Sequence, residues 1–172
     1  MYVPLSIADH EQTSAALVNG TIRAATVGPD HVVSEFPVQC EASEGVPIEG
    51  ECVSRLSVKM VTFTIQVDNA RTLAKNDGTP VNSGQEVTLE LLVGATDNGS
   101  PAAADAAQAI VDSTPIGSSV AAFAFRNPAK TLQLSSPDSW ALVDQAGGFV
   151  SLSQGAGSQG FLGLQQLSEL AF

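Results

Sequence analysis

Residues 86–125 read Glu86-Val-Thr-Leu-Glu-Leu-Leu-Val93, then Gly94-Ala-Thr-Asp-Asn-Gly-Ser100, then Pro101-Ala-Ala-Ala-Asp-Ala-Ala-Gln-Ala-Ile-Val-Asp112, then Ser113-Thr-Pro-Ile-Gly-Ser-Ser-Val-Ala-Ala-Phe-Ala-Phe125. The first piece alternates, with Val87, Leu89, Leu91 and Val93 against Glu86, Thr88 and Glu90, which is the period of a strand with one buried face. The period then changes. Ser100 before Pro101 is a helix start, a side-chain cap followed by the residue whose missing N–H costs nothing at the first helical position. Ala102 to Asp112 follows, rich in the best helix former, with Ala106, Ala109 and Ile110 on one stripe and Ala103 and Ala107 beside it. Thr114-Pro115 repeats the device and predicts a second, shorter helix through about Phe125, stopped by Asn127-Pro128.

Upstream the pattern is that of strands. Arg55 to Val67 carries the longest alternation in the chain: Leu56, Val58 and Met60 oppose Arg55, Ser57 and Lys59, then Val61, Phe63, Ile65 and Val67 oppose Thr62, Thr64 and Gln66. The phase slips at Met60-Val61, which predicts a bulge or strong local twist there. Arg55, Ser57, Lys59, Thr62, Thr64 and Gln66 then share one polar face. The first 38 residues read as short strands around a polar turn at 8–13, and Asn19-Gly20 is a hairpin signal because type I′ turns need two residues tolerant of positive φ. The expected fold is therefore α+β: an antiparallel β-sheet with an N-terminal hairpin, followed by two C-terminal helices. A coat-like domain over 1–126 would be followed by a C-terminal extension over 127–172, where Leu132–Leu134 and Trp140–Val143 read as short strands or turns.

Composition narrows the function. The chain has 172 residues, 18 acidic groups against 7 basic ones and a net charge of −11, with 44% apolar residues. That is enough apolar surface for a core, so disorder throughout is excluded. No apolar run reaches the ~18 to 20 residues that cross a bilayer as a helix. The start lacks the basic segment of a signal peptide, so a cytoplasm is the expected place of assembly. Chemistry has little to draw on. His10 and His31 are the only histidines, and Gly155-Ala-Gly-Ser-Gln-Gly160 has neither a preceding apolar strand nor a Lys-Ser/Thr ending, so it reads as a linker or turn. Cys40 and Cys52 are too sparse for a zinc site, although a bridge between them would close the acidic Glu41–Glu51 loop. The expectation is a protein without catalysis, metal, cofactor or small-molecule substrate.

Taken together, Phe63-Thr-Ile-Gln-Val67, Asn76-Asp-Gly78, Val87-Thr-Leu-Glu-Leu91, Gly94-Ala-Thr-Asp-Asn98 and Asp112-Ser-Thr-Pro-Ile116 resemble, in their order, the coat proteins of single-stranded RNA bacteriophages. The resemblance covers about residues 55–125. It implies an interlocked homodimer whose C-terminal helices lie over the partner's sheet, assembly into an icosahedral virion shell, and genomic RNA on the sheet face opposite the helices. Arg55, Ser57, Lys59, Thr62, Thr64 and Gln66 are then the candidate RNA contacts. Candidate subunit contacts are Ala106, Ala109 and Ile110 on the first helix and Leu164, Leu167, Leu170 and Phe172 in the apolar tail, which either caps its own core or docks on a neighbour. Glu86, Glu90 and the net charge run against direct RNA contact. The alternative is another phage structural component, a capsid decoration or tail-tube protein without genome contact.

Overall fold

The structure is a computed structural model that describes residues 5–38, 52–97, 101–134, 139–150 and 163–172, with the side chains of 30–38, 52–57, 94–97 and 101–103 left aside. In chain order the elements are α1 (Ile7–Thr13), β1 (Ala16–Val38), β2 (Cys52–Thr72), β3 (Glu86–Asp97), α2 (Pro101–Ser113), β4 (Ser119–Arg126), β5 (Leu132–Leu134), β6 (Trp140–Val143) and β7 (Phe149–Val150), with a 3-10 turn at Leu167–Glu169. The fold is thus mainly β. A sheet with an N-terminal hairpin and two C-terminal helices is not what forms, and each departure has a local cause.

The predicted hairpin at Asn19-Gly20 lies inside the continuous strand β1. Asn19 turns its amide to β4, donating to Ser119 Oγ at 3.1 Å and to the Val120 carbonyl at 3.0 Å. Gly20 is needed for closeness, since a Cβ there would overlap the Gln66 carbonyl and the Ile65 side chain. The polar stretch read as a turn at 8–13 is α1, closed by a capping box in which Ser6 Oγ accepts from the Asp9 N–H and the Asp9 carboxylate accepts from the Ser6 N–H. The predicted second C-terminal helix is a turn followed by β4. Gly117 has φ of +91°, and the Ser118 N–H closes back on the Pro115 carbonyl, so the chain reverses before the alanines begin.

The chain divides into two compact units, Met1–Thr26 with Thr62–Leu91 and Ser113–Phe172, and Val27–Val61 with Leu92–Asp112. In the first unit the strands run β1-β2-β3-β5-β4, and β4 pairs back onto β1 with Ala16 opposite Ala124 and Thr21 opposite Ser119. The ring is therefore closed. β3 and β5 are parallel, and β4 is antiparallel to both β5 and β1. The spatial order β4-β1-β2-β3 is a Greek key, the fourth strand returning by a long connection to lie beside the first.

Strand parity separates inside from outside. Val61, Phe63, Ile65 and Val67 are buried, as are Leu89, Leu91, Leu132 and Leu134, while Thr62, Thr64 and Gln66 between them are half-buried. β1 from Ala16 to Gly20 and β4 from Val120 to Ala124 are buried on both faces. The second face, with Leu17, Ala121 and Phe123, packs against Ala141, Val143, Phe149 and Leu170, together with Ile7, Leu164 and Leu167. Small residues at Ala16, Gly20, Ala122 and Ala124 let β1 and β4 lie close beside the bulky β2 face. Leu164, Leu167 and Leu170 of the tail are therefore part of the first unit's own core. In the second unit, Ala107 of α2 is buried and Ile110 and Val111 are half-buried.

Candidate functional site

The arginines and lysines that the described residues place in the first unit act largely as structural ties. Arg71 on β2 donates to Glu11 of α1 at 2.5 Å. Arg126 ends β4 and is engaged at each nitrogen: Nε donates to Asn76 Oδ1 at 3.0 Å, Nη1 to the Lys130 carbonyl at 2.9 Å, and Nη2 to the Thr79 carbonyl at 2.5 Å. Lys130, at φ of +67°, forms an ion pair with Asp77, and the hydrogen bond from its ammonium holds the Asp77 carboxyl below the usual carboxylate range. Gly78 leaves the room that this clamp needs, because a Cβ there would press on the Arg126 side chain. The turn at 76–79 and the turn at 127–131 are thus locked to each other.

Beside the clamp lies a chain of polar contacts. The Asn127 side chain donates to Thr131 Oγ1 at 2.6 Å and accepts from the Thr131 N–H at 3.1 Å. Thr131 Oγ1 in turn donates to Glu90 Oε2 at 3.1 Å. Glu90 sits on the outer face of β3, opposite Gln133 of β5. Between these groups opens a cavity of about 300 Å³ whose walls include Pro80, Val87, Thr88, Glu90, Thr131 and Leu132. A second, larger hollow of about 430 Å³ lies at the tail, bordered by Asn69, Gly147, Gln166, Leu167 and Phe172.

Of the residues predicted to contact RNA, Thr62, Thr64 and Gln66 share the outer face of β2 in the first unit, where Gln66 Nε2 donates to the Gly84 carbonyl at 2.9 Å. Arg55, Ser57 and Lys59 fall on the part of β2 that belongs to the second unit, and the side chains of Arg55 and Ser57 lie outside the described ones. The regular alternation of burial begins at Val61, where β2 passes from one unit to the other; Val58, Lys59 and Met60 are all half-buried. On α2, Ala106 and Ala109 are exposed and Ile110 is half-buried. In the tail, Leu164 and Leu167 pack on the core cluster, Leu170 is 9% exposed and Phe172 is 41% exposed. Cys40, the acidic loop after it and Gly155–Gly160 lie outside the described residues.

The sequence reading passed over two features. His10 is fully buried, with its ring stacked on Phe123 at 5.2 Å. Glu90, Asn127 and Thr131 come together through the parallel β3–β5 pairing, for which the sequence carries no local signal. Among the described residues no three His, Cys, Asp or Glu side chains gather into a metal-binding group, and no helix is long and apolar enough to cross a membrane. Comparison of the chain with protein-family models, with curated proteins and with solved structures finds no match.

Proposed function

We propose that the chain is a virion structural protein, a self-assembling coat subunit that encloses RNA and performs no catalysis. The observation that carries this reading is the length of the first two strands. β1 has 23 residues and β2 has 21, against about 5 to 6 in an ordinary globular domain. β4 pairs with β1 only from Ala16 to Thr21, and β5 pairs with β3 only from Leu89 to Leu91. Strand edges that outrun their partners suit a protein completed by its neighbours, because unpaired backbone groups are templates for a further strand. Pro29 and Pro37 fall on the outrunning part of β1, consistent with an edge position there. Of the join on which the coat resemblance rests, β3 and α2 are present, whereas the second helix it calls for is replaced by the Thr114–Gly117 turn and β4. Capsid decoration or tail-tube assembly is the neighbouring alternative.

The Greek-key ring favours a second reading. Five-stranded barrels of this kind hold oligonucleotides or oligosaccharides against their second and third strands and the loops joining strands 1–2 and 4–5. Fold alone does not carry function, but the Glu90 cavity is bordered by the third strand and by the turn joining β4 to β5.

Expression of the chain alone, followed by size exclusion, negative-stain electron microscopy and the ratio of absorbance at 260 to 280 nm, separates these readings. Closed shells with nucleic-acid absorbance support the coat. Rings or tubes move the weight to decoration or tail proteins, and a monomer without particles moves it to the second reading. Arg55→Glu with Lys59→Glu should remove co-purified nucleic acid and leave particles intact. An unchanged ratio would withdraw the RNA contact.

A further inference from the structure

We propose that the cavity between β3 and the 127–131 turn binds one ring of an uncharged sugar chain. The inference rests on the second reading of the barrel and is independent of shell assembly. At about 300 Å³ the cavity stands at the lower end of small-ligand sites, sized for one ring of a longer molecule. Pro80 and the half-buried Val87 give it apolar wall, against which the C–H face of a sugar can lie. Thr88, Thr131 and the Glu90 carboxylate supply polar rim. Glu90 is held by Thr131, which is itself held by Asn127, so the carboxylate is fixed before any ligand arrives. A carboxylate has about four acceptor positions, and the contacts from Thr131 and Asn127 both fall on Oε2, leaving Oε1 for sugar hydroxyls.

The same wall disfavours nucleic acid. Arg126 and Lys130 border the cavity, but their nitrogens are committed to Asn76, Thr79, the Lys130 carbonyl and Asp77. Glu90 and Glu86 lie on one outer face of β3, where a phosphate backbone would meet two carboxylates. Among the described residues no aromatic ring borders the cavity, so an unstacked base would lack the platform that sequence-tolerant strand binders use.

The test presents the full chain to an array of neutral oligosaccharides, follows any retained sugar by titration calorimetry, and titrates a single-stranded oligouridylate in parallel. The expected result is saturable binding of a neutral oligosaccharide that is insensitive to salt. Glu90→Gln should weaken it about tenfold, the loss of one hydrogen bond to a charged group. Thr88→Val, at an exposed strand position, should weaken it by a smaller factor and guards against a folding defect in the first variant. Retention of no neutral sugar overturns the proposal. So does oligouridylate binding that falls with salt and responds to Arg55→Glu rather than to Glu90→Gln. Particle formation by Glu90→Gln, scored by microscopy, reports on the coat reading separately.

Discussion

α2 and β4 begin alike and end differently. Each follows a hydroxyl residue and a proline, Ser100-Pro101 and Thr114-Pro115, and each then runs into alanine. Pro101–Ser113 is a helix, with Ala106, Gln108 and Ala109 exposed and Gln108 Nε2 bonded to Asp112 one turn on. Ser119–Arg126 is a strand, buried from Val120 to Ala124 and paired on both edges, to β1 on one side and to β5 and β6 on the other. Helix propensity separates alanine from ordinary residues by up to ~0.7 kcal/mol each, a weak preference beside the burial of both faces of a strand. Where one face stays in water, as on α2, propensity decides. Where both faces and both edges find partners, they decide.

The contrast can be broken most forcefully at Phe123. Phe123→Ala empties the covered face of β4 and should cost about 4 kcal/mol in urea unfolding. Ala109→Gly on the exposed side of α2 should cost about 1 kcal/mol, the propensity difference alone. Equal losses would mean that α2 is as enclosed as β4. Next in size is Gly20→Ala, expected to cost about 2 kcal/mol because the added methyl meets β2 backbone rather than a movable side chain. A neutral result would place β1 and β2 further apart than described. Gly117→Ala sharpens the comparison at its start: a left-handed conformation costs a non-glycine residue about 1 kcal/mol or slightly more. If this variant gained helical circular dichroism without losing stability, the turn rather than the pairing would be what keeps β4 extended.

The smallest effect concerns α1. The Ser6 hydroxyl, followed by the Ser6 N–H, holds the Asp9 carboxyl below its ordinary value of 3.8. A lowered folded value means that this cap contributes fully above that ordinary value and is lost as pH falls through the lowered one. The protection of the α1 amides, relative to the intrinsic exchange rate at each pH, should therefore stay level from pH 7 to 5 and fall only below about pH 4. In Asp9→Asn this acid step should vanish. Protection lost already at pH 6 would show that the Ser6–Asp9 cap is not what the acid step reports.

Period and capping made α2, β3 and the alternating part of β2 legible, because those elements show one face to water and their apolar residues keep count. β1 was hidden. Its Asn19-Gly20 pair serves cross-strand bonding and close approach, uses that leave the same two letters as a turn. The Ala-Phe run of β4 carries no polar alternation, so only its partners distinguish it from a helix. The Glu90–Thr131–Asn127 contacts were out of reach for the same reason, since they arise from a parallel pairing between strands some forty residues apart. The outer face of Thr62, Thr64 and Gln66 was readable because period 2 alone defines it.

Closure of the ring has a consequence for how the chain comes to be folded at all. β1 waits for a partner about a hundred residues downstream, and β5 must reach back to β3 across α2 and β4. Contacts of such sequence separation fold slowly, and synthesis proceeds at roughly 5 to 20 residues per second. For several seconds the nascent chain therefore holds β1 and β2 with the inner faces of both strands open to solvent. During that interval its fate rests with concentration and chaperones as much as with its own sequence.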